Sequence, residues 1–434
     1  YGQWIKASES YSLESPEKIN LQALFCGHND FTSDDDLVIQ HRWCFRDINH
    51  KYGHYEFYGM SSEDIITFHY QPQNHLYQQW DPTTYYENPG HYSNCYYCRN
   101  QIFEEHSYST ITVEPTYFAD GTKATKFTKC GNVFSEEILS KKTSVSLETL
   151  GAPKILTESE LATYGIKAAS TPAIIDDATY VTFGVFPQTI KASSVEVADG
   201  TATVNGGTPI INSEISGATY YLGNDGAWYA KIFENATAPN LTYSDGTLIK
   251  EASDNSYAYF KVEPVVWRVL TTKTDEDVTK YMLLSEKILI SDVAFYPHLS
   301  VNRTINNQTV YSNNYKHSSI RAFLNGLSFE EKPSDSDPQS SNSDYLSKGF
   351  LQQAFTSTHQ TKISETTVDN SAASTIDSYE YLEQATLYAC DNTIDKIFLL
   401  SELEITTSEY KFNTDSSRIR FPTDFAWANY CDGF

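Results

Sequence analysis

The residue types that bind metals are crowded at one end of this chain. Five of the seven cysteines lie in the first 130 residues, and eight of the eleven histidines lie in the first 106. This region contains strand-like pieces but no long apolar periodicity, so its hydrophobic core would be small. A small core needs a further constraint, such as a bound metal ion or disulfide bonds. Residues 1–135 are therefore predicted to form small β modules held together by cysteine and histidine chemistry.

The segment 91–106, HYSNCYYCRNQIFEEH, contains the strongest metal-binding pattern. Zinc prefers four nitrogen or sulfur ligands, and a C-x2-C turn places two thiolates around one ion. The sequence predicts a zinc site made of His91, Cys95, Cys98 and His106. Because the protein would supply all four ligands, this zinc would be structural and not catalytic. A disulfide to another cysteine, or a pair of idle thiols, remains the alternative.

The composition changes after residue 135, and the pattern predicts an α+β fold in which strands dominate. Residues 136–175 have few aromatics and are predicted to be a connector with a short helix. Residues 176–434 form a second unit, which opens with the strand VTFGVFPQTI at 181–190. Turn signals at Asn224–Gly226 and at the acidic Asp275–Asp277 indicate two hairpins between apolar strands. A third hairpin, with a two-residue turn at Asp120-Gly121, is predicted in the first unit.

The second unit also contains helix signals. In SSIRAFLNGL, Ser318 or Ser319 is predicted to cap an amphipathic helix, on which Arg321 pairs with an acidic residue. The segment 350–355 predicts a second short helix, and DKIFLLS at 395–401 predicts a buried strand.

The charge of the chain excludes two classes of partner. Fifty-six acidic and 31 basic residues give a formal net charge of −25, which repels nucleic acid and anionic lipid. No run of 18 apolar residues occurs, so the sequence predicts no membrane span. The chain begins with Tyr and not Met, which is typical of a processed product, and these features together predict an extracellular or cell-surface protein.

Tyrosine is unusually frequent, with 32 residues in the chain. Tyrosine and tryptophan combine an apolar body with a polar tip, and both stack on sugars and protein ligands. Those around the Asn224–Gly226 turn are predicted to form an exposed ligand platform: Tyr220, Tyr221, Trp228 and Tyr229. Trp267 lies inside an apolar strand and is predicted to belong to the core.

Seven phrases follow one another in the second unit in a specific order. They are TFGVFPQT (182–189), EPVVWRVL (263–270), LLSEKILIS (283–291), NNYKHSSIRAFLN (313–325), TTVDNS (366–371), YACDNTIDKIFLLSELEI (388–405) and RIRFPTDFAWAN (418–429). In this order they resemble an uncharacterised domain family of secreted and surface proteins from gut and oral bacteria. The resemblance covers residues 180–430 and implies a fold similar to C-type-lectin-like and formylglycine-generating-enzyme-like domains.

Two departures from that family matter for fold and chemistry. Its members normally close with a Gly-Trp-Trp-Leu-Arg-Ser-Pro-like strand, whereas this sequence ends in CDGF, so we expect an incomplete domain. Cys390 and Cys431 do not stand in the context of the enzyme branch's cysteine pair, so the resemblance implies no catalytic role for them.

The first unit resembles small Cys/His repeats that occur beside such domains. HYSNCYYCRNQIFEEHSY matches the first part of the repeat, and EPTYFADGTKATKFTKCGN matches the second. Tyr117 and Phe127 replace two of the expected cysteines, so the repeats resemble degenerate zinc ribbons.

The sequence contains no nucleophile elbow, P-loop, dinucleotide fingerprint or H-E-x-x-H motif. We therefore expect a secreted or cell-surface bacterial protein with a non-catalytic binding or display role. Its partners would be a glycan, a protein ligand or copies of itself. A structural subunit of an extracellular filament, sheath or lattice is the first alternative, and an enzyme of unknown type is the second.

Overall fold

The structure is a computed structural model of the chain. It describes residues 36–44, 57–69, 90–94, 101–105, 107–128, 131, 133–166, 175, 177–201, 207–234, 240–291, 293, 295–296, 302–329, 345–374 and 389–428. Contacts divide the chain into a smaller unit, Tyr1–Glu114 with Gly121–Leu139, and a larger unit, Pro115–Asp120 with Ser140–Phe434. The predicted connector 136–175 thus contributes to both units and contains two short helices.

Strands dominate the described part of an α+β chain, as the sequence predicts. The strands of the smaller unit are β1 Asp36–Cys44, β2 Phe57–His69, β3 Gly90–Asn94, β4 Gln101–Glu105, β5 Tyr108–Val113, β6 Gly121–Phe127 and β7 Val133–Leu139. Those of the larger unit are β8 Lys154–Ile155, β9 Tyr180–Ile190, β10 Tyr220–Leu222, β11 Trp228–Phe233, β12 Tyr257–Asp275, β13 Val278–Ser285, β14 Arg303–Ile305, β15 Gln308–Val310, β16 Thr366–Val368 and β17 Thr393–Asp395. The α-helices are α1 Leu147–Leu150, α2 Glu158–Thr163, α3 Ser319–Asn325, α4 Phe350–Ala354, α5 Ser357–Gln360, α6 Asp415–Arg418 and α7 Asp424–Ala428.

The smaller unit contains antiparallel pairs β1–β2 and β3–β4 and the meander β5–β6–β7. The arms of the predicted hairpin around Asp120-Gly121 do pair, with Val113 opposite Thr122. The predicted two-residue turn is wrong, because a type I′ turn needs positive φ at both central residues and neither of these has it. A longer loop joins the arms instead. Within it, the Thr116 hydroxyl accepts hydrogen bonds from the backbone N–H groups of Phe118 and Ala119.

The larger unit is organised around one long strand. In its main sheet the order is β10-β11-β12-β9-β8, and β13 also pairs with β12. The first part of β12 pairs with β11, the last part pairs with β13, and β9 runs along its other edge. Both predicted hairpins are present, because β10 pairs with β11 and β12 with β13. The acidic turn has positive φ at Glu276 (45°) and Asp277 (63°), as a tight turn between twisted strands requires.

The main core lies between this sheet and the short helices. It contains Phe183 and Phe186 of β9, Phe260 of β12, Phe355 after α4 and Phe425 of α7. Trp267 is buried in the same cluster, as predicted, and its Nε1–H donates to the carbonyl oxygen of Phe183 at 2.7 Å.

The predicted helix around Arg321 is confirmed as α3. Ser318 is its N-cap, and the hydroxyl accepts from the N–H of Arg321 at 3.2 Å. The expected acidic partner of Arg321 is Asp395, which is buried and accepts from Nε at 2.9 Å. Helix α4 confirms the prediction for 350–355.

The predicted strand 395–401 is wrong beyond its first residue, since β17 ends at Asp395. The backbone that follows bonds to a helix instead of a strand. Asn325 of α3 accepts from the N–H groups of Lys396 and Ile397 and donates to the carbonyl oxygen of Ile397. A side chain from α3 thus takes over the bonds that a neighbouring strand would have made.

Candidate binding cavity and its buried charges

The larger unit contains a cavity of about 300 Å³ on the side of β12 that carries Glu263. This volume is at the small end of the range that holds small-molecule ligands, roughly 300–1,000 Å³. Its lining comes from the C-terminal end of α2, β9, β12 and the segment after β13, and includes Tyr164, Gln188, Thr189, Glu263, Pro264, Val266, Glu286, Lys287 and Leu289. Polar and apolar groups therefore face the same space.

Two prolines interrupt the pairing of β9 with β12, and one of them, Pro264, lines the cavity. Pro187 in β9 and Pro264 in β12 lack the N–H that a central strand position would donate to the ladder. Both stand next to register shifts between these strands, between Lys261 and Val262 and between Pro264 and Val266. The Gln188 side chain supplies donors where the ladder is interrupted, because its amide nitrogen donates to the carbonyl oxygens of Glu263 (3.3 Å) and Pro264 (3.0 Å).

Glu263 is held in a fixed position on the cavity wall. Its Oε2 accepts from the N–H of Thr189 at 3.2 Å and from the hydroxyl of Thr189 at 2.6 Å. A carboxylate fixed by two donors has already lost rotamer freedom, so accepting further hydrogen bonds from a ligand costs little entropy.

Glu286 stands between the cavity and the protein interior. Its side chain is 11% exposed, and its Oε2 lies 3.8 Å from Nε of Arg420, whose side chain is also buried. Burial raises the pKa of the Glu286 carboxyl, against the opposing effect of Arg420 and Arg268.

Arg268 of β12 is the third charged member of this cluster and is 1% exposed. Its guanidinium lies over the ring of Phe412, 5.0 Å from the centroid. Burial, and next the charge of Arg420, lower the pKa of Arg268 to about 10.

Sequence reasoning missed this cluster. Each of the three charges stands inside an apolar phrase: Arg268 in VVWRVL, Glu286 in LLSEKILI and Arg420 in RIRFP. A charged residue that interrupts a buried strand pattern is a usable signal, because such residues are rarely buried without a partner. Their convergence depends on long-range contacts and could not be read from spacing.

The predicted exposure of the aromatic platform is wrong for three of its four residues. Tyr220, Trp228 and Tyr229 are 2%, 8% and 2% exposed, and only Tyr221 is half-buried. Their polar tips are also used internally: Trp228 Nε1–H donates to the carbonyl of Val145, and the Tyr229 hydroxyl donates to Asp225. The short hairpin β10–β11 packs one face into a second core cluster, which removes the rings of Tyr220 and Trp228 from solvent.

The predicted zinc site lies largely outside the described residues and stays a prediction. Cys95, Cys98 and His106 lie outside the described residues, and only the backbone of His91 is placed, opposite Glu104 in the β3–β4 pair. Within the ranges that the structure describes, no group of three or more His, Cys, Asp or Glu side chains could hold a metal ion. In those same ranges no helix has both the length and the apolarity needed to cross a membrane.

Comparison with known proteins gives one match. No curated protein and no solved structure matches the chain. Residues 279–424, about a third of the chain, match the family model described as a domain of unknown function, DUF6273. This range begins inside β13 and is shorter than the 180–430 suggested by the seven phrases. The part of the chain from β13 to α7 is thus similar to DUF6273.

Proposed function

We propose that this chain is a secreted or cell-surface bacterial protein with a non-catalytic binding role, built on a lectin-like larger unit. In this proposal the cavity beside Glu263 is the ligand site. The observation that carries the proposal is the fixed carboxylate of Glu263, which faces a cavity that also has an apolar wall.

A glycan is the ligand class that fits this wall best. Sugar hydroxyls donate hydrogen bonds to carboxylates, and the C–H faces of a sugar ring pack on apolar side chains. Glu263 and Glu286 supply the acceptors, and Pro264, Val266 and Leu289 supply the apolar surface. Lys287 also lines the cavity, so one cation stands beside the two carboxylates, and a neutral sugar is favoured over a strongly charged one.

The experiment is a glycan array on the full chain, followed by calorimetry with the best hit. Glu263→Gln keeps the shape of the side chain but weakens the acceptor, and we expect affinity to fall about tenfold, the effect of about 1.4 kcal/mol. Glu365→Gln, on an exposed residue outside the cavity, is the matched control and should bind normally. Unchanged binding by a folded Glu263→Gln protein would place the ligand elsewhere, and no binding to any glycan would refute the ligand class.

In this proposal a structural zinc ion stabilises the smaller unit, and the smaller unit displays the binding unit. The support is the H-x3-C-x2-C spacing with a histidine beyond it, together with the small amount of apolar sequence around it.

A subunit of an extracellular filament or lattice is the second candidate, and one surface favours it. Ile419 and Phe421, on either side of Arg420, are 51% and 68% exposed. Ile288 is 41% exposed and forms a β-bridge with Pro422, next to Phe421. Light scattering over a range of concentrations tests this candidate. Growth of mass with concentration, abolished by Phe421→Ser, would support assembly, and a constant monomer mass would refute it.

A further inference from the structure

Arg268 carries hydrogen-bond donors that the surrounding protein does not use. A guanidinium has five N–H donors in a planar fork and keeps its charge in proteins. In Arg268 all three nitrogens, Nε, Nη1 and Nη2, are buried and have no acceptor among the residues that the structure describes. The ring of Phe412 covers the flat face of the group but offers nothing to its edges. The fork therefore needs an acceptor that these side chains do not supply.

The nearby charges do not balance. Arg268 and Arg420 are two buried cations, and Glu286 is the carboxylate whose charge acts on both. Glu286 Oε2 lies 3.8 Å from Arg420 Nε, too far for a hydrogen bond, and is itself without a donor in the described part of the chain. Arg420 uses Nη1 on the carbonyl oxygens of Ser417 and Ile419, while its Nε and Nη2 lack acceptors there as well. One cluster thus combines a net charge of about +1 with buried donors that have no acceptor among the described residues.

We propose that Arg268 and Arg420 form an internal binding site for one small monovalent anion of the size of chloride. Such an ion cancels the excess charge and accepts hydrogen bonds from several directions at once. A water molecule would satisfy donors but would leave the charge, and a large organic anion would not fit beside side chains with so little exposure. The site is separate from the proposed glycan cavity, because neither arginine lines that cavity. Glu286 stands between the two sites, since it lines the cavity and its Oε2 is buried near Arg420.

The direct test is crystallography of the full chain in sodium bromide. Bromide replaces chloride and is located by its anomalous scattering. We expect one bromide peak within hydrogen-bonding distance of the Arg268 guanidinium. Ordered waters at these donors without an anomalous peak would overturn the proposal.

The solution test is thermal unfolding at constant ionic strength, with chloride exchanged for the larger gluconate. A ligand that binds only the folded state raises Tm in a saturable way, so we expect Tm to rise with chloride and then level off. Arg268→Met removes the charge at similar length and should abolish this dependence. Arg418→Met is the matched control, because Arg418 already donates to Asp415 and to two carbonyl oxygens, and it should keep the dependence.

A further variant keeps the test valid if Arg268→Met does not fold. Glu286→Gln removes the described carboxylate that competes with the anion for both arginines, so half-saturation should occur at a lower chloride concentration. A Tm that follows ionic strength equally for chloride and gluconate, or a Glu286→Gln protein with an unchanged chloride midpoint, would refute the site.

Discussion

Gly184 lies in the middle of β9, in the phrase TFGVFPQT, and has a φ of +72°. A side chain is excluded there for two separate reasons. An L-residue is strained at this φ, and a Cβ would lie 2.9 Å from the carbonyl oxygen of Ala354 and overlap the ring of Phe355. The glycine lets α4 and the residue after it approach the sheet closely.

We predict that Gly184→Ala lowers the free energy of unfolding by about 3 kcal/mol, the sum of backbone strain and overpacking. Gly246→Ala is the matched control. Gly246 has a similar φ of +84° but nothing within 4 Å of the added Cβ, so about 1 kcal/mol is expected. Urea denaturation measures both values. Equal losses in the two variants would show that contact with Phe355 contributes nothing.

Single residues also mark where sequence reasoning is weakest. Tyr220 and Tyr229 border a turn, which favours exposure, but tyrosine suits both the core and the surface. For Tyr220 the outcome depends on the residues it packs with, and two of these, Leu147 and Val185, are far away in the chain. Trp267 was predictable because it stands in a mostly apolar run, with Val265 and Val266 before it and Val269 and Leu270 after Arg268.

At the scale of elements, Asp199 connects a loop to two strands. It accepts from Nζ of Lys231 in β11 at 2.7 Å, from the hydroxyl of Tyr259 in β12, and from the N–H and hydroxyl of Thr201. Burial alone would raise the pKa of Asp199, but these donors together hold it well below its usual range.

The lowered pKa predicts how stability depends on pH. An acid with a lowered folded pKa stabilises the protein above its unfolded pKa, and this contribution is lost as the pH falls through the folded value. The contribution should be complete above about pH 5 and should shrink below about pH 4. At pH 7 we expect Asp199→Asn to cost about 3 kcal/mol, as when one partner of a buried pair is removed. The difference from wild type should narrow between pH 5 and pH 2.

The chain contains a close control for this measurement. Asp245-Gly246-Thr247 repeats the sequence Asp199-Gly200-Thr201, and the Asp245 carboxylate accepts from the N–H and hydroxyl of Thr247. In the described part of the chain no lysine or tyrosine donates a hydrogen bond to Asp245, so Asp245→Asn should cost less. Denaturation of both variants at several pH values checks the prediction, and a cost for Asp199→Asn that does not change with pH would contradict it.

Turns and helix caps that depend on residues close together in the sequence could mostly be predicted from the sequence. The turns at Asn224–Gly226 and Asp275–Asp277 and the Ser318 cap depend on residues within a few positions of one another. The strand predicted at 395–401 failed because Asn325, distant in sequence, bonds that backbone. The cavity could not be predicted from the sequence for the same reason, since β9, β12 and the segment after β13 meet only in the folded sheet.

At the scale of the whole molecule, the smaller unit carries the zinc prediction, which rests on sequence alone. We expect about one zinc per chain by metal analysis, and we expect a chelator to lower the unfolding temperature of the smaller unit. Cys95→Ser combined with Cys98→Ser should abolish zinc binding. Cys390→Ser is the control, because Cys390 is a free thiol in the larger unit. Mass spectrometry that finds Cys95 or Cys98 in a disulfide would contradict this prediction.

The length of β12 has a consequence for how this domain is inherited. The range similar to DUF6273 starts at residue 279, one position inside β13, whereas the strand that β13 pairs with spans Tyr257–Asp275. A gene segment that began at residue 279 would encode β13 without β12, its partner in the hairpin. The encoded product would also lack the core residues Trp267 and Phe183. We therefore expect recombination to carry β9 through α7 as one block, and other proteins that match DUF6273 to keep a similar pair of strands before the matched range.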